Sequence, residues 1–220
     1  MLFRSAMHAD KRSILWTASA WDEPSVKFLE SFDVPCHKVP SACLTDHKLL
    51  KCMRRTSKPI LMSTGMSTPE EIEAAVRVVY DGLPPHPLVL LHCTSAYPCA
   101  VEELNLRCIE TLRQTYPGIP IGYSGHEPGL PTTLAAATLG ARVIERHITL
   151  NRAMWGSDQA ASLEPEAVRR LVRNIRAIER GMGDGVKEVY ASEESIKTKL
   201  RKVNYADCTT GDEVSTVKCG

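Results

Sequence analysis

Six short apolar runs recur along the chain, each followed by polar or glycine- and proline-rich residues and then by a segment of helical periodicity. They start 22 to 31 residues apart, at Ile14–Thr17, Cys36–Val39, Pro59–Ser63, Leu88–Cys93, Ile119–Gly122 and Val143–Leu150. Strands that alternate with helices at this period indicate a parallel sheet, because parallel neighbours need a long crossover connection. The chain is therefore predicted to be an α/β protein.

The segments between these runs carry helix signals. Thr68-Pro-Glu-Glu71 offers an N-cap, a proline at the first helical position and a carboxylate two residues later, which predicts a helix through Tyr80. Further helices are predicted over Val101–Tyr116, Pro131–Leu139 and Glu166–Met182, the last with one apolar stripe. A more polar helix is predicted over Ala191–Val203.

Polar side chains follow the carboxyl end of every predicted strand. An open sheet concentrates its site at one switch point, whereas a TIM (β/α)8-type barrel draws on the ends of many strands. The pattern favours the barrel, here incomplete, with about six of the eight βα units of such a barrel. The simplest explanation is that the first two units lie outside this sequence. Residues 1–203 are predicted to form this partial barrel, and the polar segment 204–220 is predicted to be disordered.

Composition excludes several classes of protein. The formal net charge of +1 over 220 residues gives no field that attracts nucleic acid or an anionic membrane. No apolar run approaches the roughly 18 residues of a membrane span, and Met1–Lys11 lacks the apolar core of a signal peptide. The eight cysteines form no Cys-x-x-Cys pair and are interpreted as reduced thiols. A cytoplasmic protein is expected.

Two neighbouring strands end in groups that bind metals or transfer protons. Alternation places Ser124 and His126 on one face of the first strand, and Glu145 and His147 on one face of the second. Two imidazoles with water and substrate oxygens suit a divalent ion such as Mn²⁺, or Mg²⁺ or Co²⁺, better than structural zinc. The spacing alone leaves a second interpretation open, in which both histidines are hydrogen-bonded structural residues.

Other strand ends indicate an anion site. Lys38 supplies a positive charge, Ser63, Ser95 and Ser124 supply hydroxyl donors, and Gly65 lets an anion approach backbone N–H groups. The alternatives are a solvated lysine and a simple turn with a helix cap. Asp158 either holds substrate hydroxyls or caps the turn that follows it.

Five motifs resemble the sialic acid synthases, the N-acetylneuraminate synthase family. They are Lys58–Met66, His92–Pro98, Gly122–Glu127, Glu145–Leu150 and Gly156–Pro165, and the resemblance runs from about Ile14 to Val203. The resemblance implies a TIM barrel followed by an antifreeze-like domain, and a homodimer for the full-length protein. It also implies condensation of phosphoenolpyruvate with N-acetylmannosamine, or its 6-phosphate, to a nine-carbon 2-keto acid and phosphate.

The resemblance also assigns roles to individual residues. His126 and His147 match the pair that binds Mn²⁺, and Glu145 matches a carboxylate that handles protons. Tyr97 and Asp158 match residues that contact the amino sugar. The positions that match phosphoenolpyruvate-binding residues are Thr17, Lys38, Ser41, Ser63, Ser95 and Ser124.

The chain departs from the family pattern in three places. A glutamate and a second phosphate-binding lysine on the family's first two strands have no counterpart, and Gln159 stands where many members have histidine. Nothing after Val203 resembles the antifreeze-like domain, whose arginine contacts the N-acyl group. Two alternatives therefore stay open: a related legionaminate, pseudaminate or shorter sugar-acid synthase, and a catalytically silent truncated barrel.

Overall fold

The computed structural model describes residues 2–80 and 87–202. The chain divides into two compact units, Met1–Arg180 and Gly181–Gly220. The strands of the first unit are β1 (His37–Val39), β2 (Ile60–Ser63), β3 (Leu88–Cys93), β4 (Ile121–Gly125) and β5 (Ile144–Arg146). Its helices are α1 (Leu2–Asp10), α2 (Glu23–Glu30), α3 (His47–Arg54), α4 (Pro69–Tyr80), α5 (Cys108–Thr115), α6 (Pro131–Thr138) and α7 (Pro165–Gly181), the last ending one residue beyond the unit boundary. Helix α8 (Ala191–Leu200) belongs to the second unit.

The five strands form one parallel sheet in sequence order, β1-β2-β3-β4-β5. The sheet curls into a half-barrel of the TIM type with helices between its strands, so the predicted fold class is confirmed. Pairing is continuous from His37 opposite Ile60 to Ser124 opposite Glu145. This register carries the ends of all five strands to the same edge of the sheet.

Capping residues fix where the helices begin. At α4, the Thr68 hydroxyl accepts a hydrogen bond from the Glu71 N–H, and the Glu71 carboxylate accepts one from the Thr68 N–H, so the predicted capping box is present. Asp22 and Asp46 cap α2 and α3 by accepting backbone N–H groups. Each cap satisfies donors that have no partner within the helix.

Two predicted elements differ from the structure. Ile14–Thr17 is not a strand: the isolated bridge in this part of the chain lies after it, between Ser19 and Lys38, and Leu15 is 82% exposed. The predicted helix Val101–Tyr116 divides into a 3-10 turn and α5, because Asn105 has a φ of +42° that interrupts helical backbone.

Apolar packing is uneven across the sheet. A large cluster that includes Val39, Ile60, Met62, Leu90 and Ile121 fills the space between β1–β4 and their helices. Beside β5 the buried cluster contains three leucines, Leu130, Leu163 and Leu171. None of the helices in the described part of the chain has the length and apolar character that crossing a membrane requires.

The predicted disordered segment 204–220 lies outside the described residues, and the predicted domain boundary at residue 203 stays a prediction.

Candidate active site

The carboxyl ends of the strands open into a cavity of about 410 Å³. Ten of the eleven site residues predicted from the sequence line it: Lys38, Ser41, Ser63, Ser95, Tyr97, Ser124, His126, Glu145, His147 and Asp158. A larger cavity of about 660 Å³ lies between α4 and α5, but its described lining contains no aspartate, glutamate, lysine or arginine. The smaller cavity is therefore the candidate active site.

A buried ammonium group lies at one side of this cavity. Lys38 Nζ donates hydrogen bonds to Ser63 Oγ at 2.8 Å and to the Val39 carbonyl at 2.9 Å, and it lies 3.7 Å from Glu145 Oε2. Burial lowers the pKa of Lys38, and the nearby Glu145 carboxylate opposes that shift. A bound anion would favour the protonated lysine in the same way, so this position suits a negatively charged ligand.

Serine hydroxyls surround the turn that follows β2. The Gly65 N–H donates to Ser41 Oγ at 3.0 Å, and Cys93 Sγ lies 3.5 Å from Ser41 Oγ and 3.6 Å from Ser95 Oγ. A Cβ at Gly65 would lie 2.2 Å from Ser95 Oγ. Only glycine fits here without moving the hydroxyls, and the close approach of an anion to this turn stays a prediction.

The ends of β4 and β5 bring a hydroxyl to a carboxylate. Ser124 and Glu145 are register partners, and Ser124 Oγ donates to Glu145 Oε1 at 2.8 Å. The other carboxylate oxygen faces Lys38. Glu145 therefore lies between the Lys38 ammonium group and the Ser124 hydroxyl, in the cavity that the imidazoles also line, where a carboxylate can accept or return a proton.

The two predicted imidazoles are neighbours. The ring centroids of His126 and His147 are 5.1 Å apart, with an angle of 63° between the ring planes. The Tyr97 ring lies against both, with centroid distances of 4.3 Å to His126 and 5.6 Å to His147. One aromatic wall therefore orients both imidazoles.

Each imidazole directs Nδ1 at an oxygen acceptor. His126 Nδ1 is 2.9 Å from the Thr94 carbonyl, and His147 Nδ1 is 3.5 Å from Asp158 Oδ2. Because a carbonyl oxygen can only accept, Nδ1–H of His126 is the donor to Thr94, and the ring, when neutral, keeps its lone pair on Nε2, the arrangement that histidine metal ligands adopt. The Asp158 carboxylate lies on the same side of His147 and favours a proton on its Nδ1. The pair therefore fits a divalent ion whose other ligands are water and substrate. In residues 2–80 and 87–202, no group of three or more His, Cys, Asp or Glu side chains is placed to hold a metal.

The two histidines differ electrostatically. Burial lowers the pKa of His126, but its hydrogen bonds to Cys93 and to the Thr94 carbonyl outweigh burial, and the net shift is upward. Burial and the neighbouring His126 together lower the pKa of His147. His147 is therefore neutral at pH 7 and available as a ligand.

The residues adjacent to the two imidazoles in sequence form a buried ion pair. Glu127 follows His126, Arg146 precedes His147, and Arg146 Nη1 is 3.1 Å from Glu127 Oε1. The Glu127 side chain is 0% exposed and the Arg146 side chain is 4% exposed. The pair thus joins the turn after β4 to the end of β5.

The sequence matches the profile of the NeuB family over residues 3–187, which is most of the chain. This chain belongs to the NeuB family. Human N-acetylneuraminate-9-phosphate synthase is 40% identical over 195 residues, which are 89% of this chain and 54% of that protein. The N,N'-diacetyllegionaminic acid synthase of Campylobacter jejuni is 38% identical over 197 residues, covering 89% of this chain and 59% of that protein.

Solved structures agree with the family assignment. The N-acetylneuraminic acid synthetase of Leptospira borgpetersenii has a TM-score of 0.78 at 33% identity, over 89% of this chain and 68% of that one. A phospho-2-dehydro-3-deoxyheptonate aldolase of Thermotoga maritima has a TM-score of 0.69 at 20% identity, over 80% and 54%, which shows a common fold. The chain spans a little over half the length of the curated relatives described above.

One predicted site residue of this NeuB-family chain does not line the cavity. Thr17 donates its hydroxyl to the Cys36 carbonyl at 2.7 Å. Cys36 directly precedes β1, whereas the cavity lies at the carboxyl ends of the strands. Ser19 lines the cavity instead, because it is the residue that bridges to Lys38. Thr17 is thus not among the described residues that line the cavity, and its predicted contact with phosphoenolpyruvate stays a prediction.

The sequence interpretation missed several groups. Trp21, Met66 and Cys93 also line the cavity of this NeuB-family chain. Cys93 was recognisable, since alternation along β3 and its extension places it on the face of Ser95. The partnership of Glu127 with Arg146 carried no sequence signal, because the two residues are 19 positions apart.

Proposed function

We propose that this chain carries the catalytic face of a phosphoenolpyruvate-dependent synthase. In the proposed reaction C3 of phosphoenolpyruvate attacks the aldehyde carbon of N-acetylmannosamine or its 6-phosphate. Water attacks C2, and phosphate leaves by C–O cleavage, so the products are an N-acetylneuraminate, or its 9-phosphate, and inorganic phosphate. The convergence of Lys38, Glu145, His126 and His147 in one cavity carries this proposal.

The ammonium side of the cavity suits phosphoenolpyruvate. Lys38 supplies a cation with little access to water, and the hydroxyls of Ser41, Ser63 and Ser95 can donate to phosphate or carboxylate oxygens. Hydrogen bonds from a charged donor contribute about 1.5–3 kcal/mol each, more than neutral ones. This set therefore supports binding of a multiply charged anion.

The imidazole side suits the electrophile. His126 and His147 would hold the divalent ion through Nε2, and when bound such an ion acts as a Lewis acid towards a carbonyl oxygen. Tyr97 packs against both rings and limits their movement on that side. Asp158, half-exposed beside His147, is placed to accept hydrogen bonds from sugar hydroxyls.

Glu145 is the proposed proton-transfer group. Its Oε1 accepts from Ser124 and its Oε2 faces Lys38, so the carboxylate is held from both sides. In this position it can accept a proton from the water that attacks C2. Lys38 and Ser124 then stabilise the charge that changes during the transfer.

The acceptor sugar separates related family members. Relatives of this chain are named synthases of N-acetylneuraminate 9-phosphate, N,N'-diacetyllegionaminic acid and pseudaminic acid, at 40%, 38% and 31% identity. We favour N-acetylmannosamine or its 6-phosphate because the 40% relative is named an N-acetylneuraminate-9-phosphate synthase, and that product corresponds to this acceptor. Phosphate release from phosphoenolpyruvate with a panel of aldehyde sugars tests the choice.

We also propose a cytoplasmic location and a homodimeric full-length protein. The described cysteines, including buried Cys43, Cys93 and Cys99, are free thiols, which suits a reducing compartment.

The decisive test replaces the imidazoles. We expect His126→Ala and His147→Ala, made here and at the matching positions of a full-length relative, to abolish Mn²⁺-dependent phosphate release. Neither variant should shift the melting temperature by more than about 3 °C, because neither side chain belongs to the apolar core that stabilises the fold. Metal-dependent turnover that persists in both variants would contradict the proposal. A variant of Lys48, an exposed residue on α3, is the control.

A further inference from the structure

The Glu127–Arg146 pair is the centre of a buried hydrogen-bond network. Glu127 Oε1 accepts from the hydroxyls of Thr132 at 2.9 Å and Thr133 at 2.7 Å as well as from Arg146, and Oε2 accepts from the Tyr123 hydroxyl at 2.9 Å. Both oxygens of a fully buried carboxylate are therefore satisfied. The charge is compensated locally, which keeps this side chain in one position.

Arg146 extends the same network to the backbone. Its Nη1 donates to the Gly129 carbonyl at 3.0 Å, and its Nη2 donates to the Glu127 carbonyl and to the Ala161 carbonyl, the latter at 3.4 Å. These carbonyls belong to the turn after β4 and to the loop that follows Asp158. A single guanidinium thus joins three segments that meet at the cavity.

The chain positions of these contacts connect them to the imidazoles. Glu127 and Arg146 are each one residue from a histidine, so their side chains lie outside the cavity while the imidazoles lie inside it. The anchored loop carries Asp158, which faces His147 Nδ1. Movement of either partner would change the separation of the rings or the orientation of His147.

We infer that Glu127 and Arg146 are positioning residues, which set the distance between His126 and His147 and the orientation of His147 for a divalent cation. The inference rests on the proposed function, since it concerns the same pair of imidazoles. Sparse apolar packing beside β5 makes a polar restraint necessary there. Groups that orient histidine ligands typically change metal affinity by about 10–100-fold when they are replaced.

The test uses the full 220-residue chain. Arg146→Lys keeps the positive charge but removes the planar guanidinium with its several N–H donors. Glu127→Gln keeps the shape of the side chain but removes its negative charge. Arg54→Lys is the matched control, because Arg54 Nε also binds a backbone carbonyl, that of Val79, between α3 and α4. Mn²⁺ affinity is measured by titration with electron paramagnetic resonance, and the imidazole tautomers of the metal-free chain by ¹⁵N NMR.

We expect Arg146→Lys and Glu127→Gln to lower Mn²⁺ affinity about tenfold or more. In the metal-free variants His147 should lose its preference for the Nδ1–H tautomer, because the loop that carries Asp158 is no longer anchored, while Arg54→Lys changes neither property. Unchanged affinity and unchanged tautomers in folded Arg146→Lys would overturn the inference, and so would an equal loss in Arg54→Lys. If Glu127→Gln does not fold, Thr133→Val removes one donor to Glu127 and takes its place.

The NMR measurement separates this inference from the proposed function. If the native chain binds no Mn²⁺, the proposed metal site fails, yet the tautomers of the metal-free protein still test the positioning role. Scrambled tautomers in Arg146→Lys would then support positioning, and native tautomers would refute it.

Discussion

The two ends of the sheet build one cavity by different means. The β1–β4 end rests on a continuous apolar core, in which Met62 and Leu90 are 0% exposed. At the other end every residue of β5 is only half-buried, and three leucines form the neighbouring cluster. The ammonium side is thus held by packing, whereas the imidazole side is held by hydrogen bonds and an ion pair. Polar networks can replace apolar burial where a short edge strand must still be placed accurately.

The largest expected difference between the two ends is in stability. Leu90→Ala should lower the free energy of unfolding by roughly 2–5 kcal/mol, because the leucine is enclosed on all sides. Leu163→Ala should cost less, since a cavity of about 260 Å³ already adjoins that side chain. Urea unfolding of both variants measures the contrast. Equal costs would show that β5 rests on apolar packing after all.

A second experiment sharpens the comparison at the ammonium side. Lys38→Met should weaken phosphoenolpyruvate binding about 10–100-fold, the equivalent of one charged hydrogen-bond donor. Its effect on unfolding should be smaller than that of Leu90→Ala, because the substitution removes a buried charge whose desolvation opposes folding. Isothermal titration calorimetry measures the affinity, with Lys48→Met, 85% exposed at its side chain, as the control. If Lys38→Met binds phosphoenolpyruvate as tightly as the native chain, Lys38 is not part of the anion site.

The site was more predictable from the sequence than the structure that supports it. Alternation along β4 and the end of β5 is sufficient to place Ser124, His126, Glu145 and His147 in one cavity, because the pleat decides which side chains face it. The apolar character of Ile14 and Leu15 wrongly predicted a strand, because a strand also needs a continuous hydrogen-bonded neighbour. The Glu127–Arg146 contact depends on how the turn after β4 folds back, which local sequence does not specify.

The smallest expected effect is on pH dependence. Because burial lowers the pKa of Lys38, the ammonium form should be lost at a pH below the 10.5 of an ordinary lysine. Anion affinity should therefore fall as the pH rises through that lowered value, and binding should take up protons. Calorimetry in buffers of different ionisation enthalpy measures the uptake from pH 7 upwards. Binding without proton uptake up to about pH 10 would indicate a lysine with an ordinary pKa.

The register between β4 and β5 has a consequence for any change in length nearby. Ser124 faces Glu145 because the turn 139–143 delivers β5 at one particular step of the ladder. One residue more or fewer in that turn would shift β5 by one position, so that every side chain of the strand would face the opposite side of the sheet. The cavity would then receive the guanidinium of Arg146 in place of the Glu145 carboxylate, and its positive charge would oppose binding of the proposed divalent ion. The number of residues in the turn 139–143 thus decides which charged side chain of β5 enters the cavity.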